Sequence, residues 1–288
     1  MELLQLKYFC VAARYQNFTK AAEYFSIPQS SISKTIANLE RELGCKLFDR
    51  AGRHVYLNET GKVFLEKAEV ALRNLEDGVV RIQELSSNAK KNIRLAVWEG
   101  SKLLPDILTA FGKVDRTVSF SLVQHSNENM LQDFDLCISA LPLNDNGLDF
   151  TPLITEEILL ALPVDHPLAG RDSIELPLLK DESFIGLTSG KSLRRITDAY
   201  CNMHGFLPKI IFESDDPATV RGLIENGLGV AFIPEKTWKS AHTGKIKYLR
   251  IKGGGCRRTI AISWHKGRHL PESARKFKQF VIDWYGRL

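Results

Sequence analysis

The sequence predicts an α+β multidomain chain, and three observations carry that prediction. The first stretch, about sixty residues, reads as short helices joined by tight turns and closed by a hairpin. A helical stretch of about thirty residues without proline follows, with apolar residues at heptad spacing. The texture then changes to alternating apolar strands and helices, the pattern of βαβ units around a mainly parallel sheet.

From Leu3 to Arg14, the apolar residues Leu3, Leu6, Phe9, Val11 and Ala13 gather toward one side of a helix. Thr19 is placed to cap a second helix, in which Ala22 and Phe25 point the same way. Pro28 then sits in the first turn of a third helix, where its missing amide would be unpaired in any case. Ile32, Ile36, Leu39 and Leu43 give that helix a single buried stripe. Gln29, Ser30, Ser33, Lys34, Asn38 and Arg41 occupy the remaining face. An amide and short hydroxyls near a helix start, followed by a cation, suit base edges and phosphates. Two short helices, a tight turn and such a third helix describe a helix-turn-helix. A small three-helix bundle with a solvated serine face has the same periodicity. The next run, LFDRAGRHVYLNETG, favours the first alternative. It places Arg50 and Arg53 at the tip of a strand-like hairpin, a wing whose cations suit phosphates or a minor groove. Residues 1–57 hold eight Lys or Arg against five acids, and Lys34, Arg50 and Arg53 belong to the third helix and the wing.

The run NFTKAAEYFSIPQSSISKTIANLERELGCKLFDR, with LNETG after it, resembles the winged helix-turn-helix signature of LysR-type transcriptional regulators. That signature reads S-F-T-x-A-A-x-x-L, then Q-S/P-x-x-S-x-x-I-x-x-L-E-x-x-L-G-x-x-L-F-x-R, then L-T-x-A-G. Phe25 stands where the family has leucine, and Asn58 where threonine caps the next helix, which asparagine does equally well. The resemblance implies a bacterial, sequence-specific DNA-binding regulator. In it Gln29 and Ser33 would read bases, Thr19, Ser30 and Lys34 would touch phosphates, and Arg53, with Arg50, would form the wing contact. The partners it implies are double-stranded DNA bearing an inverted repeat, a small-molecule effector and RNA polymerase.

Between Asn58 and Ser87 the residues Leu65, Ala68, Leu72, Leu75, Val79 and Ile82 are spaced as the a/d seam of a coiled coil. Such a helix spans roughly 45 Å at 1.5 Å per residue, more than a small winged domain covers. Dimerisation is the expectation; the alternative is an amphipathic helix lying on its own domain. Two reading modules about one DNA turn apart would meet an inverted repeat. The resemblance implies the same linker-helix dimer, with a homotetramer formed through the second half of the chain. Gly78 is a weak point in the helix and a place for a bend.

After the polar link SSNAKKN come IRLAV, SKLLPDILTAF, VSFSLV and FDLCISAL, then ILLALPV, SFIGLT, SLRRITDAYCNMHG, KIIFES, DPATVRGLIENG and GVAFIPE. RTIAISWHK and an amphipathic helix from Pro271 to Tyr285 close the chain. This pattern alone allows one large α/β domain. The resemblance implies two Rossmann-like lobes, similar to type 2 periplasmic binding proteins. LLALPVDHPLA would be the first crossover between them and TIAISWHKG the return. The expected domains are then 1–58 for DNA binding, 59–90 for the linker helix and hinge, and 91–288 for effector binding. Within the last, lobe I takes 91–162 and 265–288, and lobe II takes 163–264.

In such sheets ligands bind at the carboxyl ends of strands, against helix N-termini. Two junctions qualify: Trp98, Glu99, Ser101 and Lys102 after IRLAV, and Thr188, Ser189, Lys191 and Arg194 after SFIGL. Ser101 and Ser189 also fit ordinary helix capping. Facing each other across a two-lobed cleft, these hydroxyls, amides and cations predict a small anionic effector. Glu99 either pairs with Lys102 or receives an amine of the ligand, and the sequence leaves both open.

An enzyme fused to a DNA-binding head is the reading from another class, and no motif supports it. The G-x-G of NGLGVAF lies between a helix and a strand, the reverse of a dinucleotide fingerprint, and no nucleophile elbow or phosphate loop is present. Gly253–Cys256, flanked by KYLRI and RTIAI, reads as a hairpin turn. His125, His166, His242, His265 and His269 lack metal spacing, so no metal or cofactor is expected. The net charge of +5 over 288 residues is too mild to define a partner. Five scattered cysteines fit free thiols in a reducing compartment, and a redox pair is disfavoured because Cys201 has no near neighbour in sequence. With no signal-like start and no apolar run near the ~18 residues of a membrane span, a cytoplasmic protein is expected.

Overall fold

The computed structural model describes residues 1–51, 54–85, 91–123, 134–143, 147–238, 244–253 and 255–288, without the side chains of 50, 51, 54, 80 and 83–85. Arg53, Ser87, His125, His242 and Gly254 lie outside the described residues, as does the side chain of Arg50. The chain forms two compact units, residues 1–90 with 267–271, and residues 91–266 with 272–288.

The first unit begins with three helices, α1 (Leu3–Tyr15), α2 (Phe18–Phe25) and α3 (Gln29–Leu43). Their apolar faces meet in one core around Phe9, Ile32, Ile36, Leu39 and Leu47. The cap of α2 is Asn17, whose side chain accepts the amides of Thr19 and Lys20 at 2.9 and 3.1 Å. Thr19 therefore lies in the first turn, correcting its expected capping role. The helix-turn-helix reversal is made by Ser26, left-handed at φ 54°. The amides of Ser26 and Ile27 turn back to the carbonyls of Glu23 and Ala22, both at 3.0 Å, satisfying the end of α2. Pro28 stands just before α3 as its cap residue.

The buried stripe of α3 differs from expectation at its end. Leu43 is 37% exposed and Glu40 is buried instead. Glu40 faces inward because its carboxylate accepts the amides of Leu47 and Phe48, at 2.9 and 3.3 Å, as the chain enters the wing. The wing is the antiparallel pair β1 (Phe48–Ala51) and β2 (His54–Leu57), with Phe48 opposite Leu57 and Ala51 opposite His54.

Helix α4 (Glu59–Leu85) starts on Asn58, whose Oδ1 accepts the Gly61 amide at 2.8 Å. A Cβ at Gly61 would stand 2.2 Å from the Leu47 carbonyl oxygen, so only glycine lets α4 start against that turn. Ala68 is buried, and Leu65 and Leu72 pack on the same core. Arg14 of α1 and Glu69 of α4 form an ion pair at 3.5 Å. The first half of the seam is therefore covered by its own module. Farther along, Leu75, Val79 and Ile82 are 56%, 54% and 70% exposed.

The second unit is built from β3 (Asn92–Val97), α5 (Leu104–Gly112), β4 (Ser119–Val123), β5 (Leu136–Ala140) and β6 (Leu148–Pro163). It continues with β7 (Ser173–Ile174), β8 (Ser183–Leu187), α6 (Ser192–Met203), β9 (Lys209–Ser214) and α7 (Pro217–Glu225). The last elements are β10 (Ala231–Pro234), β11 (Ile246–Ile251), β12 (Arg257–His265) and α8 (Glu272–Tyr285). The main sheet runs β4-β3-β5-β12-β6-β11-β7, with β10 also on β6, and β8 and β9 pair separately.

The sheet is mixed rather than mainly parallel. β3 lies parallel to β4 and β5, but β12 is antiparallel to β5 and β6, and β10 and β11 are antiparallel to β6. Long strands that pass from one lobe to the other and return must run against their neighbours. β6 is the longest, and it begins at Leu148, well before Leu159 where the sequence placed the crossover. Its first part pairs with β12 and its last part, from Ile158, with β10 and β11. The segment Gly253–Cys256 closes no hairpin, because among the described residues β11 and β12 do not pair with each other: each runs antiparallel to β6, β11 beside Leu160 to Pro163 and β12 beside Leu148 to Glu157. Lobe I has an aromatic core in which the Phe111 ring lies 5.0 Å from Phe277 and 5.3 Å from Phe280. Lobe II has its own core around Phe184, Leu193, Cys201, Val220 and Ile233.

Candidate functional site

Two surfaces qualify, one in each unit. On α3, Ile32, Ile36 and Leu39 fix the helix to its module, leaving Gln29, Ser30 and Lys34 exposed and Ser33 half-buried. Gln29 Nε2 donates to Ser33 Oγ at 2.8 Å, a bond between residues one turn apart. This pre-sets the Gln29 side chain and leaves its carbonyl and second N–H directed by the same turn. An amide so held matches the bidentate edge of adenine. Thr19 is exposed at the start of α2. Short polar groups ahead of Lys34 make this face suited to a DNA groove, with an uncharged reading end and a cation behind it.

The second surface lies where strands end at the junction of the two lobes. At the end of β3 the amides of Trp98 and Glu99 both donate to the Ile138 carbonyl, at 2.9 and 3.3 Å. The Trp98 ring packs beside Phe134 and Cys137, and its buried indole N–H has no hydrogen-bond partner among the described residues. Ser101 and Lys102 follow, both exposed. Across from them, the Thr188 amide donates to the Ser214 carbonyl at 3.0 Å, Gly190 turns the chain at φ 95°, and Lys191 leads into α6. Thr188 and Lys191 are half-buried and Ser189 is exposed.

Two of the expected residues are engaged within the protein. Arg194 donates through Nε to Asp198 at 2.7 Å, and through Nη1 to Glu213 at 2.6 Å and the Leu187 carbonyl at 3.0 Å. It braces α6 against β8 and β9. Glu99 is buried, and its partners are Ser192 and Arg258 rather than the expected Lys102. Ser192 Oγ donates to Glu99 Oε1, and Arg258 Nη1 donates to Oε2 at 2.5 Å.

The sequence reading missed the groups around Glu99. Arg258 is fully buried; its Nε donates to Glu156 at 2.9 Å and its Nη2 to Thr237 Oγ1 at 2.8 Å. Glu156 also accepts the Thr237 hydroxyl at 2.7 Å and the amides of Lys236 and Thr237, both at 2.9 Å. A signal for the pair was present. Arg258 is in phase with Ile260 and Ile262, and Glu156 with Ile154 and Ile158, so both point inward at period two, directly opposite in register. A charged residue in the apolar phase of a buried strand needs an opposite charge beside it. Tyr285 completes the surroundings. Its hydroxyl is buried without a hydrogen-bond partner among the described residues, and burial, then the charge of Glu156, pushes its pKa up to about 12.

The cysteines do not form a reactive centre. All five are free, and burial pushes the thiols of Cys10 and Cys201 up to about 12 and that of Cys256 to about 11. Cys201 does share the core of lobe II with Cys256, a proximity that their spacing in sequence concealed. Among the described residues no group of three or more His, Cys, Asp or Glu is placed to hold a metal, and no helix is long and apolar enough to cross a membrane.

A winged helix-turn-helix with an exposed polar reading face, followed by two α/β lobes meeting at a polar junction, defines a DNA-binding transcriptional regulator with an effector-binding domain. Comparison with known proteins gives the family. The model for bacterial regulatory helix-turn-helix proteins of the lysR family matches residues 3–62, and that for the LysR substrate binding domain matches residues 88–286. The chain belongs to the LysR family. It is 36% identical over 290 residues to the uncharacterized HTH-type transcriptional regulator YybE of Bacillus subtilis (strain 168), covering 98% of this chain and 99% of that one. It is 31% identical over 296 residues to the transcriptional dual regulator GltC of the same organism, covering 100% and 99%. Among solved structures, a full-length OxyR variant from Pseudomonas aeruginosa aligns with a TM-score of 0.66 at 24% identity, over 99% of this chain and 94% of that one. The effector binding domain of QuiR in complex with shikimate aligns with a TM-score of 0.60 at 25% identity, over 68% of this chain and 97% of that domain. These homologues are transcriptional regulators, not enzymes.

Proposed function

We propose that this chain reads an inverted-repeat operator as a homodimer or homotetramer in the cytoplasm, and that a small anionic effector bound between its lobes controls the outcome at RNA polymerase. Gln29 and Ser33 read base edges; Ser30, Lys34 and Thr19 hold phosphates; Arg53, with Arg50, forms the wing contact. The carrying observation is the α3 face, where Gln29 and Ser33 are joined at 2.8 Å on a helix anchored from below by Ile32, Ile36 and Leu39. Dimerisation falls to the exposed half of α4, at Leu75, Val79 and Ile82. The effector residues are Trp98, Ser101, Lys102, Thr188, Ser189 and Lys191, with Glu99 and Arg194 shaping the site from behind. An anion is supported by crowded cations: burial, and then the Arg221 guanidinium, hold the Lys102 ammonium below its usual value. The complex of QuiR with shikimate, a small carboxylic acid, supports the same ligand class. Effector binding favours one lobe arrangement by its differential contacts, and α4 carries that change toward the reading module.

The test is operator binding by purified variants, with the operator selected from a random DNA pool. Gln29→Ala should relax preference at one position of each half-site, at a cost of about 1–3 kcal/mol. Lys34→Ala should weaken all sequences alike and flatten the dependence of affinity on salt. Unchanged affinity and unchanged preference in Gln29→Ala would show that α3 is not the reading helix.

A further inference from the structure

The carboxylate of Glu99 connects the loop after β3 with α6 and β12 through side chains. It sits on the loop after β3 in lobe I, yet its oxygens are held by Ser192, the first residue of α6 in lobe II, and by Arg258 on the long strand β12. The charge of Arg258 is already balanced without it. Glu156 already faces the guanidinium across the β6–β12 ladder, and Thr237 takes the Nη2 side. Glu156 is itself saturated by a hydroxyl, two amides and the Arg258 Nε. The charges of Arg258 and Glu156 are thus balanced before Glu99 arrives, while the Arg258 Nη1 remains for a further acceptor. One guanidinium N–H and one hydroxyl, converging on a buried point between two lobes, form a seat for a carboxylate. The loop carrying Glu99 is shaped to deliver one. Gly100 is left-handed at φ 71°, and a Cβ there would stand 3.1 Å from the Tyr285 hydroxyl, the buried group that has no partner. A spare hydroxyl donor therefore lies beside the same loop.

We infer that Glu99 is a resident ligand: its side chain fills a carboxylate seat made by Ser192 and Arg258, tying lobe I to lobe II, and a carboxylate-bearing effector acts by taking that seat from it. This deepens the effector reading above and rests on it for the function. Its structural content is separate, namely that the seat accepts a free carboxylate once Glu99 is removed. In the absence of effector the tether holds the lobes together. A carboxylate that enters must match the Ser192 and Arg258 contacts and free the loop 98–101 to move. Residues that would have been assigned to ligand recognition are then occupied in the resting protein, and sensitivity is set by the competition between a tethered and a free carboxylate.

The experiment is chemical rescue in the full-length chain, read by thermal unfolding without DNA, so that its failure is distinct from failure of the regulator reading. Melting temperatures of wild type and Glu99→Ala are followed as sodium acetate replaces sodium chloride at constant ionic strength. Glu99→Ala should melt lower than wild type and show a saturable acetate-specific rise of about 3 °C, with no such rise in wild type. Adding Ser192→Ala to Glu99→Ala should reduce the rise. Equal melting of Glu99→Ala in acetate and chloride overturns the proposal, as does an equal acetate response in wild type. Should Glu99→Ala fail to fold, Glu99→Gln keeps the shape and removes the charge. Hydrogen exchange at residues 98–101 and 192–195 should then quicken by about tenfold, and protection equal to wild type overturns the tether.

Discussion

Glu40 shows how far a residue's role can lie from its appearance in sequence. In the helical run LERELG it reads as one more solvated charge. The structure buries it and gives Oε1 the amides of Leu47 and Phe48 and Oε2 the Lys46 ammonium, at 2.8 Å. Burial by itself raises its pKa, but the Lys46, Leu47 and Phe48 hydrogen bonds together outweigh it and hold the carboxyl below 4.5. A lowered folded-state pKa contributes stability that is present above the unfolded value and is lost as pH falls through the folded one. Glu40→Gln should therefore cost about 1–3 kcal/mol in urea unfolding at pH 7. The gap to wild type should narrow as pH falls through the lowered folded-state pKa of Glu40, and a pH-independent gap would locate the effect in packing instead. The cysteines work in the opposite direction. With thiols pushed up to about 12, Cys10 and Cys201 contribute stability that is whole below 9 and lost as pH rises through 12. Cys201→Ala should flatten that alkaline loss in a melting series, whatever it does to stability at pH 7.

Helix α4 divides what periodicity can tell from what it cannot. The heptad spacing from Leu65 to Ile82 was legible, because a stripe at 3.5-residue period is a local property of the chain. Which body covers the stripe was not, since that depends on where α1 lies. The structure packs Leu65, Ala68 and Leu72 on the winged module and leaves Leu75, Val79 and Ile82 exposed. Substitutions should separate accordingly. Leu72→Asp should destabilise the module by several kcal/mol, because it places an unpaired charge against a core. Leu75→Asp with Ile82→Asp should leave the melting temperature nearly unchanged and abolish self-association in sedimentation. A wild-type chain that sediments as a monomer at micromolar concentration would remove the dimer proposal. The strands show the same division. β3, β5, β8 and β9 announce themselves as apolar runs, but the run ILLALPV predicts β6 only from Ile158, because the polar alternation and Pro152 in its first part hide the start. The inward phase of Glu156 and Arg258 was equally visible, yet only the register across two distant strands turns those residues into a pair.

The lobes are joined by strands rather than by a linker, and this decides how a ligand can act. β6 and β12 pair with each other from Leu148 opposite His265 to Glu157 opposite Arg257, and β6 then continues into pairing with β10 and β11. Paired strands resist bending, whereas the junctions 98–102 and 188–192 meet through side chains such as Glu99 and Ser192. A ligand there shifts the arrangement only through contacts that differ between the two states. Ser101 is exposed at the first junction, on the turn leading into α5, and it is remote in sequence from α3. Ser101→Trp should fill the space a ligand needs without touching the Glu99, Arg258 and Glu156 network. Operator affinity without effector should stay within about twofold of wild type, since that change is under 0.5 kcal/mol. The effect of the strongest carboxylate found by thermal-shift screening, on both melting temperature and operator affinity, should disappear. A Ser101→Trp chain that still responds as wild type does would move the effector site away from this junction, and with it the proposed anion.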